Sequence, residues 1–274
     1  MRIHTGLEAW VSIEGERCEE YGQTLAANGR DVTCWIASEA GKTFSVHWQD
    51  RPTQQMDYAL IIDGVDIGGK CCVNPTGRLV SMDMTGTRIS AIEEQPFMFA
   101  PIRQSDDESL LLNSVEGVGE IQIKTGTARF QPAIRTYAPP PSGKTFHERM
   151  KKGIDHQTSF GAAKLVAQES VTAYRPVPVG VPTMLTFKYR PLNVLQANGI
   201  APRPKTIETK PVVKQPAIED DDSEVEIVET KPKTSVKRER TDVAAQHGGS
   251  PARKKVKREA APKIPSDDII YISD

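Results

Sequence analysis

The segment "TFSVHWQ" sets Phe44, Val46 and Trp48 in strict alternation with Ser45, His47 and Gln49. Successive side chains of an extended chain point to opposite faces, so a period of two gathers the three large apolar groups on one side of a strand. The pattern recurs through Val32, Cys34 and Ile36 in "VTCWI", through "GEIQIKT", and through Leu185, Phe187 and Tyr189 in "TMLTFKY". In "ALIIDGVDI" the pair Asp63-Gly64 separates two apolar runs, the strongest short-range hairpin signal. Many short strands with Gly, Pro and Asn punctuation, and no regular strand–helix alternation, imply a mainly β fold: an antiparallel β-sandwich-like domain with one or two short helices.

The helices are expected in two places. "TFHERMKKG" opens with Thr145 three residues before Glu148, a capping-box spacing, and stops at Gly153. "RPLNVLQANG" has Pro191 where a first-turn proline is tolerated and Asn198-Gly199 where a helix can end. "YAPPPSGK" reads as a surface connection, and "DHQTSFG" as a loop after the first helix.

Composition changes abruptly near residue 200. All three tryptophans and all four cysteines precede residue 190, whereas residues 201–265 hold no aromatic residue and are rich in Lys, Glu, Asp, Pro, Val and Thr. Such a segment cannot bury enough apolar surface to offset a backbone ordering cost of roughly 1–2 kcal/mol per residue. The chain therefore divides into a β-rich domain over residues 5–203 and a long disordered, charged tail over 204–274.

The formal net charge of −1 conceals blocks of opposite sign. Residues 219–229 hold seven acids and no base; residues 231–258 hold ten bases and two acids. No apolar run approaches the ~20 residues needed to span a bilayer, which excludes a membrane-spanning helix and gives no reason to expect a membrane partner. Cys18, Cys34, Cys71 and Cys72 are irregularly spaced, as expected of reduced thiols rather than of a disulfide framework or a zinc site.

"LEAWVSIEG", "VTCWIASEAGKTFSVHW", "DGVDIGGK", "QPFMFAPI", "GEIQIK" and "FKYRPLNVLQANGIAP", in that order, resemble a family of uncharacterised proteins from mushroom-forming (basidiomycete) fungi, a domain of unknown function. The resemblance covers about residues 5–203. It implies a β-rich domain with a terminal helix and supplies no catalytic residue.

Nothing in the domain points to catalysis, a metal or a cofactor. His4, His47, His147, His156 and His247 show no metal-ligand spacing. "DIGGKCC" lacks the phosphate-loop spacing and follows a hairpin, which suits a tight turn. Asp155, His156 and Ser159 are near in sequence, but triads assemble from separated segments. Trp48 follows the core-facing alternation, which counts against a sugar-binding face. A β-sandwich lectin or enzyme would instead need a polar cleft containing His47, His147 or His156.

The tail carries the functional signals. "PARKKVKRE" presents Arg253, Lys254, Lys255, Lys257 and Arg258, which resembles a nuclear import signal read by an import receptor. The same charge could hold phosphates, a weak nucleic-acid contact with steep salt dependence, so a chromatin- or DNA-associated factor is an alternative. "VKRE" occurs twice and makes Lys237 and Lys257 candidate acceptors for the small modifier SUMO. Two β-branched islands among acids follow the composition of SUMO-interacting motifs: Val225, Ile227 and Val228, and then Ile269, Ile270, Tyr271 and Ile272. In that mode a peptide adds a strand to a sheet edge, with apolar side chains in a groove. The lesser alternatives are that the terminal island returns to its own domain as an edge strand, or is an inert apolar run. Ser223 and Ser250 resemble phosphorylation sites, where phosphate would add charge beside the first island and the import signal. The sequence reading is thus a non-enzymatic nuclear regulatory protein that binds SUMO or SUMO-modified proteins.

Overall fold

The computed structural model describes residues 1–2, 6–112, 115–141, 143–150, 153–168, 172–203 and 270–272. Along the chain run β1 (Glu8–Ile13), β2 (Glu16–Arg17), β3 (Glu20–Leu25), β4 (Val32–Ser38), β5 (Phe44–Asp50), β6 (Met56–Ile62), β7 (Val65–Cys72), β8 (Val80–Met84) and β9 (Gly86–Arg88). Then come β10 (Glu93–Pro101), β11 (Arg103–Ser105), β12 (Glu120–Ala133), β13 (Thr145–His147), β14 (His156–Phe160), β15 (Lys164–Leu165), β16 (Ala173–Pro178) and β17 (Thr183–Pro191). Helix α1 (Leu192–Ala197) and the short β18 (Ile270–Ile272) complete the order.

The alternation read in the sequence is realised residue by residue. Phe44, Val46 and Trp48 are buried on β5, and so are Val32, Cys34 and Ile36 on β4. Ile121 and Ile123 are buried on β12, and Leu185, Phe187 and Tyr189 on β17. A four-stranded sheet, ordered β2-β1-β5-β8, and a large sheet, ordered β18-β7-β6-β12-β17-β4-β3, contribute these side chains to one core. β10, paired with β14, β9 and β15, adds Phe97 and Phe99. Aromatic contacts tie the sheets together. Phe44 stacks on Phe99 at 4.3 Å between centroids, Phe99 meets Tyr189 at 4.9 Å, and Trp48 meets Tyr58 at 6.1 Å.

The large sheet is not wholly antiparallel: β17 pairs with β4 in parallel from Leu185↔Val32 to Pro191↔Ser38. Parallel neighbours need a long connection. Here the connection is nearly the whole domain, so no local signal announces it.

Two expectations, one of a helix and one of a loop, need correction here. "TFHERMKKG" does not open a helix: Thr145–His147 is strand β13, in parallel register with β11, followed by one 3₁₀ turn over Glu148–Met150. Phe146 packs with Val118 and Ile154 in a second, smaller apolar cluster, so tertiary pairing and burial override the capping pattern. "DHQTSFG" is not a loop either. It contains β14, whose residues pair with β10 from Phe97↔Phe160 to Pro101↔His156. The other helix stands as read, with Pro191 and Asn198 at the ends of α1.

Phe187 is fully buried whereas Ile134 is 89% exposed. Phe187→Ala should cost about 3–5 kcal/mol in urea unfolding, from lost burial and the cavity left behind. Ile134→Ala should change stability by less than about 0.5 kcal/mol. Comparable losses at the two positions would contradict this assignment of the core.

Candidate functional site

The β6–β7 hairpin turns on Asp63 (φ 52°) and Gly64 (φ 75°), both in the left-handed region that a two-residue hairpin turn requires. The Asp63 side chain turns inward. Its carboxylate accepts hydrogen bonds from the Tyr189 hydroxyl (2.6 Å), the Thr158 backbone N–H (2.6 Å) and the Gly119 backbone N–H (2.8 Å). The Thr158 hydroxyl lies 3.2 Å from the Tyr189 hydroxyl, and the Lys144 ammonium donates to the Asp63 carbonyl. One buried carboxylate thus joins the hairpin, the start of β12, β14 and β17. Burial holds its pKa above the ordinary carboxylate value, and the hydrogen bonds from Tyr189, Thr158 and Gly119 offset that rise only in part. Burial and the neighbouring Asp63 push the Tyr189 hydroxyl well above its ordinary value, so it remains a donor.

Beyond the turn, β7 pairs with β6 through Val65 and Asp66, then through residues 69–72, with a register shift opposite Leu60. The extra residue sits at Ile67-Gly68, where the Asp66 carboxylate accepts from the Gly68 N–H at 2.8 Å. Such a bulge re-aims a strand and limits its pairing length. At Gly69 any side chain would collide with the Tyr58 carbonyl, 2.1 Å from an ideal Cβ, so the strands approach there as only glycine permits. "DIGGKCC" is therefore a bulged strand and not the tight turn expected from its sequence.

The outer side of β7 receives β18 antiparallel: Ile270↔Cys71, Tyr271↔Lys70 and Ile272↔Gly69. β16, paired to the far half of β12, is also a neighbour of β18. Beside this edge, β7, β8, β9 and residues 135–141 enclose an open, polar groove of about 440 Å³. Its charged lining is mixed, with Asp66, Asp83 and Glu94 against Lys70, Arg88 and Arg135. Arg88 reaches Glu94 at 3.9 Å and donates to the carbonyls of Ala91 and Ala167.

Three of the sequence-derived candidates, Ile270, Tyr271 and Ile272, thus lie on the domain's own sheet edge, the alternative use of that island. Ile269, the island of Val225, Ile227 and Val228, the acceptors Lys237 and Lys257, the import residues Arg253, Lys254, Lys255 and Arg258, and Ser223 and Ser250 lie outside the described residues. The receiving edge at residues 69–71 escaped sequence reasoning because the glycines suggested a turn. The Asp63 cluster escaped it because its partners are 56, 95 and 126 residues away.

The histidines do not converge. His47 hydrogen-bonds Ser12 (2.7 Å) and stacks on Trp10, which Arg17 covers from 4.9 Å. His156 hydrogen-bonds Ser38 (2.9 Å), and the buried His147 accepts from the Arg149 N–H. None of the three lines the groove beside β7. Among the described residues no group of three or more His, Cys, Asp or Glu is arranged to hold a metal ion. None of the four cysteines is in a disulfide, and burial pushes Cys34 and Cys71 up to about 12 and Cys18 to about 11, away from nucleophilic chemistry at neutral pH. No described helix is long and apolar enough to cross a membrane.

What fold and site define is a mixed β-sheet domain whose large sheet ends, at β7, in the short antiparallel strand β18. The family model for a domain of unknown function, DUF7918, matches residues 6–204, and the chain belongs to that family. Comparison with curated proteins and with solved structures gives no match.

Asp63→Ala leaves three buried donors facing a void. It should cost more than Tyr189→Phe, with the double variant less than additive by about 0.5–3 kcal/mol. Additive losses in denaturant titrations would deny the shared cluster. His47 and His156 are both held below the ordinary 6.5, chiefly by burial. The unfolded chain therefore binds their protons more readily, and stability is lost as pH falls through about 6.5, levelling off below the folded values. A His47→Gln, His156→Gln variant should show a smaller stability difference between about pH 7.5 and 5.5 than the parent. An unchanged difference would count against this role.

Proposed function

We propose that this chain is a non-enzymatic nuclear interaction and regulatory protein of mushroom-forming fungi, working by addition of short strands from its tail to sheet edges. In this reading the islands at residues 225–228 and 269–272 bind SUMO or SUMO-modified proteins. Lys237 and Lys257 accept SUMO, and residues 253–258 engage an import receptor. The observation that favours it is the strand at Ile270–Ile272, already paired antiparallel along a sheet edge, the backbone geometry that SUMO-type recognition needs. Fixing a residue's backbone costs about 1–2 kcal/mol and each net hydrogen bond returns only about 0.5–1.5 kcal/mol. For the three paired residues among those described, cost and return come out near balance, so the segment can leave its own edge for a better one.

A second reading, a chromatin- or DNA-associated factor, rests on the ten bases of residues 231–258. Salt separates the two, because phosphate contacts weaken steeply with ionic strength while strand addition anchored by apolar groups does not.

In a SUMO pull-down, joint alanine substitution of Val225, Ile227, Val228, Ile269, Ile270 and Ile272 should abolish retention, and retention by the parent should survive raised salt. Intact retention by the substituted chain would refute SUMO binding through the islands. A fluorescent fusion should lose nuclear accumulation when the basic residues between 253 and 258 are neutralised; a fusion that stays nuclear would move the import signal elsewhere.

A further inference from the structure

We infer that the outer edge of β7, at residues 69–71, is a strand-binding site whose occupant is this chain's own Ile270–Ile272, held there as a reversible latch. The inference concerns the domain's receptor and does not depend on what else the tail binds.

Four features of the fold carry it. Without β18, β7 would end the large sheet and expose unpaired N–H and C=O groups, the arrangement that invites an added strand. The bulge at Ile67-Gly68 confines regular pairing with β6 on that side to residues 69–72, so the site takes a short segment. β16 stands beside β18 as well, so the segment lies in a slot flanked by two strands of the domain. The register is that of a short β-branched peptide, with Tyr271 opposite Lys70 and an isoleucine on each side.

The occupant is near the end of the same chain, separated from the domain by residues 205–264. The described pairing spans Ile270–Ile272, where the net return of each hydrogen bond is close to the cost of ordering a residue, so the contact opens and closes rather than folding once with the core. When the latch is closed, the backbone edge that Ile270–Ile272 offers to β7 cannot pair with a second sheet. When it is open, the edge at residues 69–71 can pair with another extended β-branched peptide. Receptor and ligand on one chain thus regulate each other.

The test compares the full chain with its Tyr271→Pro variant, because proline at the central paired position removes a donor and obstructs the added strand. Backbone amide exchange is read at residues 69–71, with far-UV circular dichroism and Trp48 fluorescence confirming that the domain is folded. Exchange there should be about twofold or more faster in the variant, the change expected of a contact near balance, while the β12 and β17 amides remain unchanged. A free peptide of residues 266–274, added in excess to the variant, should restore protection, and the same peptide with proline at position 271 should not. Equal exchange in the two chains would overturn the latch, and failure of the unmodified peptide to restore protection would overturn the binding site. Protection that rises with chain concentration would place a second copy's segment on β7 and contradict occupancy by the same chain.

Discussion

The carboxylate of Asp63 is the point on which the architecture turns. It sits in the tightest part of the β6–β7 hairpin, where the left-handed backbone of Asp63 and Gly64 directs the side chain inward. There it meets donors from Gly119, Thr158 and Tyr189. A buried charge is tolerable only when its lone pairs are occupied, and donors from three separate elements satisfy this one. That requirement is also a constraint. β12, β14 and β17 cannot shift relative to the hairpin without leaving either the carboxylate or a donor unsatisfied.

The hairpin so anchored fixes where β7 runs and hence where the sheet ends. From the turn, β7 leaves β6 at the Ile67-Gly68 bulge and returns at Gly69, where the approach to the Tyr58 carbonyl excludes a side chain. The receiving edge begins at that point. A core interaction thereby sets the position of a surface feature, and the feature's shortness follows from the bulge rather than from the segment that fills it.

The strands that build the core were legible because period-two alternation depends only on neighbours in sequence. β4, β5, β12 and β17 bury the residues the pattern selects. The Asp63-Gly64 hairpin and the short helix α1 were legible for the same reason, since turn and cap chemistry are local. What remained hidden depends on distant partners. Thr145 and Glu148 have a capping spacing, yet Thr145–His147 is drawn into a strand by β11 and by burial of Phe146. The parallel pairing of β17 with β4 joins residues more than 150 apart and has no local mark. For the tail, composition named an apolar island and its two structural uses, but only the register opposite residues 69–71 distinguishes which sheet edge it occupies within the chain.

We propose that a single short β-branched segment is shared between the chain's own sheet and that of another protein. Solution NMR on the full chain tests it directly through cross-strand nuclear Overhauser contacts between Tyr271 and Lys70 and between Ile270 and Cys71. These contacts should be present in the free protein and should vanish as SUMO is added to saturation. Their absence from the free protein, or their persistence with SUMO bound at residues 269–272, would contradict it.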